Sequence, residues 1–291
     1  MQQRTQNHLF NFSLLLNSAA MAVTTKPAKF QSEVFEVFSW STMDPDPDQV
    51  RRSSFGLPYR DDNPIDAPAK LHPLFQDELK QILRSAWGVN NADDARRIVE
   101  RILGPGMHTP IFDAFLQLGE EFVRFHQSSA LVGESEKLLN NHILFLEQLF
   151  SANGIPPTDA AEYKKWIELR LNPAFTAVLP PTVPQTTRAW DLLRIEAFAG
   201  RSVSCGWMEP DEYEDIAART VRELQASFAT WSDVARSFWW GRAMWLCDEI
   251  QDIPAELCQF NKILTAALND KKSPWVRVPL HPDADELEAK I

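Results

Sequence analysis

The stretch RAWDLLRIEAFAGRSVSCGW, residues 188–207, is apolar on nearly all sides when wound as a helix: Trp190, Leu192, Leu193, Ile195, Ala197, Phe198, Ala199 and Val203 leave little wet face. A helix of that kind has to be enclosed, so one central rod demands a layered fold around it. The same rod carries Asp191, Arg194, Glu196 and Arg201. Charges buried there are costly unless they are paired and hydrogen-bonded. Asp191 and Arg194 are three apart and can touch; Arg194, Phe198 and Arg201 continue one face.

The enclosing segments also read as helices. HPLFQDELKQILRSAW places Leu74, Leu79, Ile82, Leu83 and Ala86 on one face. NNADDARRIVERIL opens on cap residues Asn90 and Asn91, with Asp93 and Asp94 facing the free amides of the first turn. TPIFDAFLQLGEEFVRFHQ and ESEKLLNNHILFLEQLFSAN keep apolar residues at three- and four-residue spacing. TDAAEYKKWIELRL offers Asp159 and Glu162 as a capping-box variant. After a proline-rich connector come helices over about 187–205, 210–228 and 231–250, then one from near Pro254 to Asn269. Pro210 suits a first turn, and Thr230 with Asp233 reads as a capping box. The expected fold is all-α, an irregular bundle of roughly eight to ten helices over 71–270. Residues 1–70 are expected to form a largely extended or disordered Pro/Asp-rich arm, and 271–291 an extended acidic tail. In that arm, SEVFEVFSW alternates Val34, Phe35, Val37 and Phe38 with polar residues, as a short helix or strand would. Residues 1–20 read as an extended or misassigned start ahead of Met21, with a secretion signal or a native helix as alternatives.

FWWGRAMW, residues 238–245, sets Arg242 among three tryptophans. At 100° per residue, Trp231, Val234, Ala235, Phe238 and Trp245 share a stripe that includes Arg242. A guanidinium on a buried stripe needs acceptors, and the central rod supplies Asp191 or Glu196. Gly241 and Gly200 let the two helices approach closely. The expectation is a network of Asp191, Arg194, Glu196, Arg201 and Arg242 walled by Trp190, Trp239, Trp240 and Trp245. It is either a scaffold fixing how helices pack or an arginine-lined pocket for a carboxylate or phosphate.

At these residues the chain resembles a known family. The segment from Ala189 to Trp245 is similar to the signature of the bacterial domain of unknown function 1266, the YbeU-like family. Ala189, Trp190, Asp191, Leu192, Arg194, Gly206, Trp207, Glu212, Trp231, Gly241, Arg242 and Trp245 carry the match. AWGVNNADDARRIVERIL resembles the upstream Trp-Gly helix start, so the likeness covers roughly 80–250. Trp207 stands where the family usually has Tyr, and TWSDV replaces its commoner Ser-Trp-Glu-Glu-Phe. The resemblance implies a bacterial, mainly helical domain and implies no activity.

Formal charge is −11, from 29 Lys plus Arg against 40 Asp plus Glu. That balance disfavours nucleic acid and suits a basic protein partner. Cys205, Cys247 and Cys258 have apolar neighbours and form no Cys-x-x-Cys pair, as buried thiols of a reducing cytoplasm would. No segment after the first 20 residues has the length of apolar run that a membrane span needs. Catalytic signatures are missing too: no Gly-x-Ser-x-Gly, no His-Glu-x-x-His and no phosphate loop, LGPGMHTP reading only as a helix stop. Asp44, Asp46 and Asp48 alternate, but Gln49 and Phe55 stand where a calcium loop needs Gly and Glu. His126 and His142 lie in separate helices and can meet, each more plausibly a hydrogen-bonded core residue than a ligand. No catalytic, cofactor-binding or metal residue is assigned. The expected role is a non-enzymatic binding or accessory protein of the immunity or secretion-associated kind. The alternative is an enzyme or sensor that takes a small anion at Arg194, Arg201 and Arg242.

Overall fold

The computed structural model describes residues 38–59, 65, 76–128, 135–152, 157–246 and 253–281. Every regular element among the described residues is helical, as expected. Val34, Phe35, Val37, Leu74, Cys247 and residues 1–20 and 282–291 lie outside them. In chain order the helices are α1 Pro47–Ser53, α2 Gln76–Trp87, α3 Ala92–Leu103, α4 Thr109–Ser128, α5 Ser135–Ala152, α6 Pro157–Leu171 and α7 Pro173–Thr176. They continue with α8 Arg188–Ser204, α9 Pro210–Ser227, α10 Trp231–Trp245, α11 Ile253–Asn269 and α12 Pro274–Arg277. A 3-10 turn, Leu57–Tyr59, follows α1.

α8 is the enclosed rod. Only Ala197, Gly200 and Arg201 along it are less than fully buried. It packs against α10, α9, α3, α2, α4 and the 3-10 turn. α4 also packs on α6, and α6 on α5 and α7, which builds a second layer. Its seam is aromatic: Phe115 meets Tyr163 edge-on, and Trp166 meets Phe175 and Trp240. His142 stacks on Phe122 at 4.3 Å and bonds the Tyr163 hydroxyl at 2.8 Å, while His126 lies on the other side of the sequence at 6.1 Å from the same Phe122 ring.

Helix starts follow local chemistry. Asn91 caps α3 by accepting from the Asp94 amide, and Asp94 in turn accepts from the Asn90 amide. Thr230 and Asp233 form the reciprocal box of α10. α6 begins at Pro157, so Asp159 lies inside its first turn and is not the cap. α10 ends at Trp245, short of the expected 250.

The segment expected to be an extended arm holds two short helical pieces in its described part, Pro47–Ser53 and Leu57–Tyr59. Asp46 caps α1, with Pro47 at its first position, and Phe55 and Leu57 are buried in the core. The described part of the expected tail likewise forms α12, capped by Ser273 and started by Pro274. In both places an acidic or hydroxyl residue followed by proline marks a helix start and not a loop. The two segments are joined: Trp40 Nε1 donates to the Lys272 carbonyl, and Trp275 Nε1 to that of Ser54. Cys205 is buried as expected, but Cys258 is exposed, because it falls on the outer side of α11.

Candidate functional site

The start of α8 is anchored twice. Asp113 of α4 accepts from the Thr186 hydroxyl and from the Thr187 amide and hydroxyl. Arg188 reaches the last carbonyls of α3, donating to Ile102 at 2.6 Å and Leu103 at 2.8 Å. One turn later Asp191, fully buried, caps a different helix. Its Oδ2 accepts from the amides of His108 and Thr109, both at 2.9 Å, and from the Thr109 hydroxyl at 2.7 Å, so it supplies the N-terminus of α4 with its acceptor. The approach is tight at Gly106, where φ is +90°; a Cβ there would lie 2.7 Å from Asp191 Oδ2.

Arg194 Nη2 donates to Asp191 Oδ1 at 2.8 Å and lies 2.8 Å from His108 Nδ1, which itself lies 3.2 Å from Asp191 Oδ1. The tautomer of His108 sets whether Nδ1 accepts from Arg194 or donates to Asp191. Burial and the Arg194 charge push its pKa down, against the pull of Asp191. Burial alone would raise Asp191; its contacts with His108, Arg194 and the Thr109 amide outweigh that and hold it far below the usual carboxylate range.

Asp191 is committed to the α4 terminus and Arg194, and Glu196 accepts from the Tyr213 hydroxyl at 3.0 Å. Arg242 is half-buried and stands over aromatic rings, with its Cζ 4.6 Å from the Trp245 centroid, 4.8 Å from Phe260 and 5.4 Å from Trp190. Arg194 Cζ lies 4.6 Å from Trp190 and 5.0 Å from Trp87. The result is a ladder in which Trp87, Arg194, Trp190, Arg242 and Trp245 alternate ring and cation. Rings of high quadrupole attract guanidinium in this way.

Tyr59, on the 3-10 turn, closes the ladder. Its ring packs against Trp190, Phe238 and Phe260 at 6.4, 5.7 and 6.1 Å. Burial pushes its hydroxyl pKa up, while the charges of Arg242, Arg194 and Arg201 pull it back. The charges of the three arginines singled out in the sequence thus all act on one hydroxyl. Trp239 is buried on α10 but outside the ladder. Tyr59, Trp87, His108, Thr109, Arg188 and Phe260 were not legible as members. The signal for His108 and Thr109 was a helix start lacking its own side-chain cap; Tyr59 gave none, because it sat in a stretch read as an arm.

Among the described residues, no three His, Cys, Asp or Glu are grouped to hold a metal, and no helix is long and apolar enough to cross a membrane.

These α8 and α10 residues lie within a recognised family. A family profile described as a protein of unknown function, DUF1266, matches residues 82–280, and the chain belongs to that family. The match runs beyond the resembling segment and takes in α11 and α12. No curated protein and no solved structure matches the chain.

Proposed function

We propose that the chain is a non-enzymatic bacterial binding protein whose recognition element is the arginine–tryptophan ladder and whose ligand is a small anion. One observation carries this reading. The Tyr59 hydroxyl, Arg194 Nε and Trp190 Nε1 are buried with no hydrogen-bond partner among the described residues. Each such group costs about 1–3 kcal/mol, and three at one place ask for an acceptor. The surrounding guanidiniums favour a negative one. Catalysis is a poorer fit, because the groups resembling a nucleophile and its base are already engaged. The Thr109 hydroxyl donates to Asp191, and His108 Nδ1 stands between Arg194 Nη2 and Asp191 Oδ1, at 2.8 and 3.2 Å. Thermal unfolding in graded phosphate and simple carboxylates tests the proposal. A bound anion raises Tm with concentration, roughly as expected for about 2.7 kcal/mol at 100 times Kd; an unchanged Tm at matched ionic strength refutes it.

A second reading, a protein partner in an accessory role of the immunity or secretion-associated kind, has its own support. Phe125 of α4 and Leu144, Phe145 and Leu149 of α5 are 42–60% exposed, on a chain of net charge −11. Large exposed apolar side chains, three of them on one helix, favour contact with another protein, and the acidic surface favours a basic one. A cytoplasmic setting is in keeping with Cys205 and Cys258 as free thiols. Charge-swap variants such as Phe145→Glu should abolish a one-to-one complex isolated from cells. A complex that survives them removes this face from consideration.

A further inference from the structure

One helix of the second layer is held in place through a titratable side chain. On α5, Leu139, Ile143, Leu146 and Phe150 are buried, while Leu144, Phe145 and Leu149 face outward. Among the described elements its packing partner is α6. α6 itself is tied to the rest of the fold. Arg170 donates from Nε and Nη2 to Glu120 Oε1 of α4, at 2.9 and 2.7 Å. Phe115 of α4 meets Tyr163, and Trp166 meets Trp240 of α10. α5 is therefore the element that can leave while α4 and α6 stay together.

His142 links α5 to both neighbours. Its ring stacks on Phe122 of α4, 4.3 Å between centroids and 18° from parallel, and its Nε2 lies 2.8 Å from the Tyr163 hydroxyl of α6. Tyr163 is 0% exposed, and burial keeps its hydroxyl protonated. Among the described residues that hydroxyl has no hydrogen-bond partner besides His142. A phenol hydrogen used there has to go to Nε2, which accepts only while it carries no proton. A proton added at Nε2 removes the acceptor and leaves the phenol hydrogen buried without one. The charged and titratable groups on the packed elements are Glu121 and His126 of α4 and Asp159 of α6, one turn before Tyr163; on α5 the nearest are Lys137 and Glu147, five residues away on either side. Burial alone pushes the His142 pKa down, with no carboxylate pulling it back. Half-buried, the ring is within reach of solvent protons. We propose that the His142–Tyr163 bond is an acid-sensitive latch: a solvent proton taken up at Nε2 breaks it, releases α5 from α6 and bares the apolar side of α5 together with Phe122 and Tyr163. The direction follows from linkage. His142 is held below its ordinary 6.5 while α5 is docked. Docking is therefore fully supported above that value and weakens as pH falls towards the folded one, by at most about tenfold per pH unit for one proton.

Hydrogen exchange of the full chain at pH 7 and pH 5, corrected for the intrinsic pH dependence of exchange, tests the latch. α5 should lose protection severalfold at the lower pH, and more than α8 loses. In His142→Gln the amide oxygen still accepts from Tyr163 and does not titrate, so α5 should then lose no more than α8. Tyr163→Phe keeps the ring and removes the bond, so α5 should exchange faster already at pH 7. That variant remains decisive if His142→Gln fails to fold. Wild-type α5 that loses no more protection than α8 overturns the proposal. An α5 response that survives in His142→Gln assigns the sensing to another group, such as His126, and overturns it too. Equal α5 exchange at pH 7 in Tyr163→Phe and the wild type shows that the bond holds nothing, with the same result.

Discussion

Asp191 and Arg242 differ in how much of the fold depends on each. Asp191 is fully buried, takes three donors from the α4 terminus and one from Arg194, and has no solvent to replace them. Asp191→Asn keeps the shape but removes the charge and turns one acceptor into a donor. It should cost about 3–5 kcal/mol in urea denaturation, the range for breaking a buried pair from one side. Arg242 is half-buried over three rings, and loss of that stacking alone should make Arg242→Ala cost about 1–2 kcal/mol. A loss for Arg242→Ala as large as that for Asp191→Asn would point to the ion-pair role expected from sequence. The sequence made the residue types of the site legible and not their pairing. Helical spacing puts Asp191 beside Arg194, but nothing local shows that the carboxylate caps a helix 82 residues away. The pH dependence follows from the same side chains. His108 and Asp191 both have folded pKa values pushed below the ordinary ones of 6.5 and 3.8. A group depressed in this way stabilises the fold above its unfolded pKa and loses that contribution as pH falls towards the folded value. Stability should therefore decline below about pH 6.5 and again, more steeply, below about pH 4. His108→Gln should shrink the upper step to the part that His142, also pushed down by burial, contributes. A flat profile from pH 7 to 5 in the wild-type protein would show that His108 titrates normally.

At the scale of elements, contact between α8 and α10 is set by one missing side chain. A Cβ on Gly241 would lie 2.3 Å from the Cβ of Trp190, an atom next to the backbone that cannot swing aside. Gly241→Ala should force the helices apart and cost about 2–3 kcal/mol, the upper part of the range for overpacking. Gly88→Ala is the contrasting case. A Cβ there meets nothing within 4 Å, so only its φ of +67° resists, for about 1 kcal/mol. Equal costs at the two sites would mean that α8 and α10 yield easily, which would loosen the ladder they carry. This contact was readable in advance, because a glycine beside an arginine on an aromatic stripe has few reasons to exist except close approach. Helix starts were equally readable where the cap is local, as at Asn91 and Thr230. They were misread where proline serves two purposes: Asp46-Pro47 and Ser273-Pro274 open helices in stretches whose composition suggests loop. Composition averages over a window, whereas a cap is a statement about a single residue.

Across the whole molecule, segments far apart in sequence close the fold on each other. Trp275 stacks on Trp231 with centroids 5.1 Å apart and rings 4° from parallel, and its indole donates to the Ser54 carbonyl. Around it, Trp231 Nε1 donates to Val278, Gln225 to Leu280 and Arg51 to Pro279, all to backbone carbonyls. The α12 segment thus lies across α9, α10 and α1 and covers the end of the core that the 3-10 turn enters. That turn carries Tyr59, and Gly56 before it approaches Glu196 of α8 so closely that a Cβ would lie 2.1 Å from Cγ. The arginine–tryptophan ladder is therefore tied to the α12 segment through α1 and the turn. Trp275→Ala removes a buried indole, its stack and its bond, and should cost about 3–5 kcal/mol. If the coupling holds, the loss is not confined to stability. Hydrogen exchange should speed up at residues 54–59 as well as at 273–280, while α4 to α6 in the second layer keep their protection. Faster exchange limited to 273–280 would make α12 a passive cover, and the position of Tyr59 would then depend on its contacts with α8, α10 and α11.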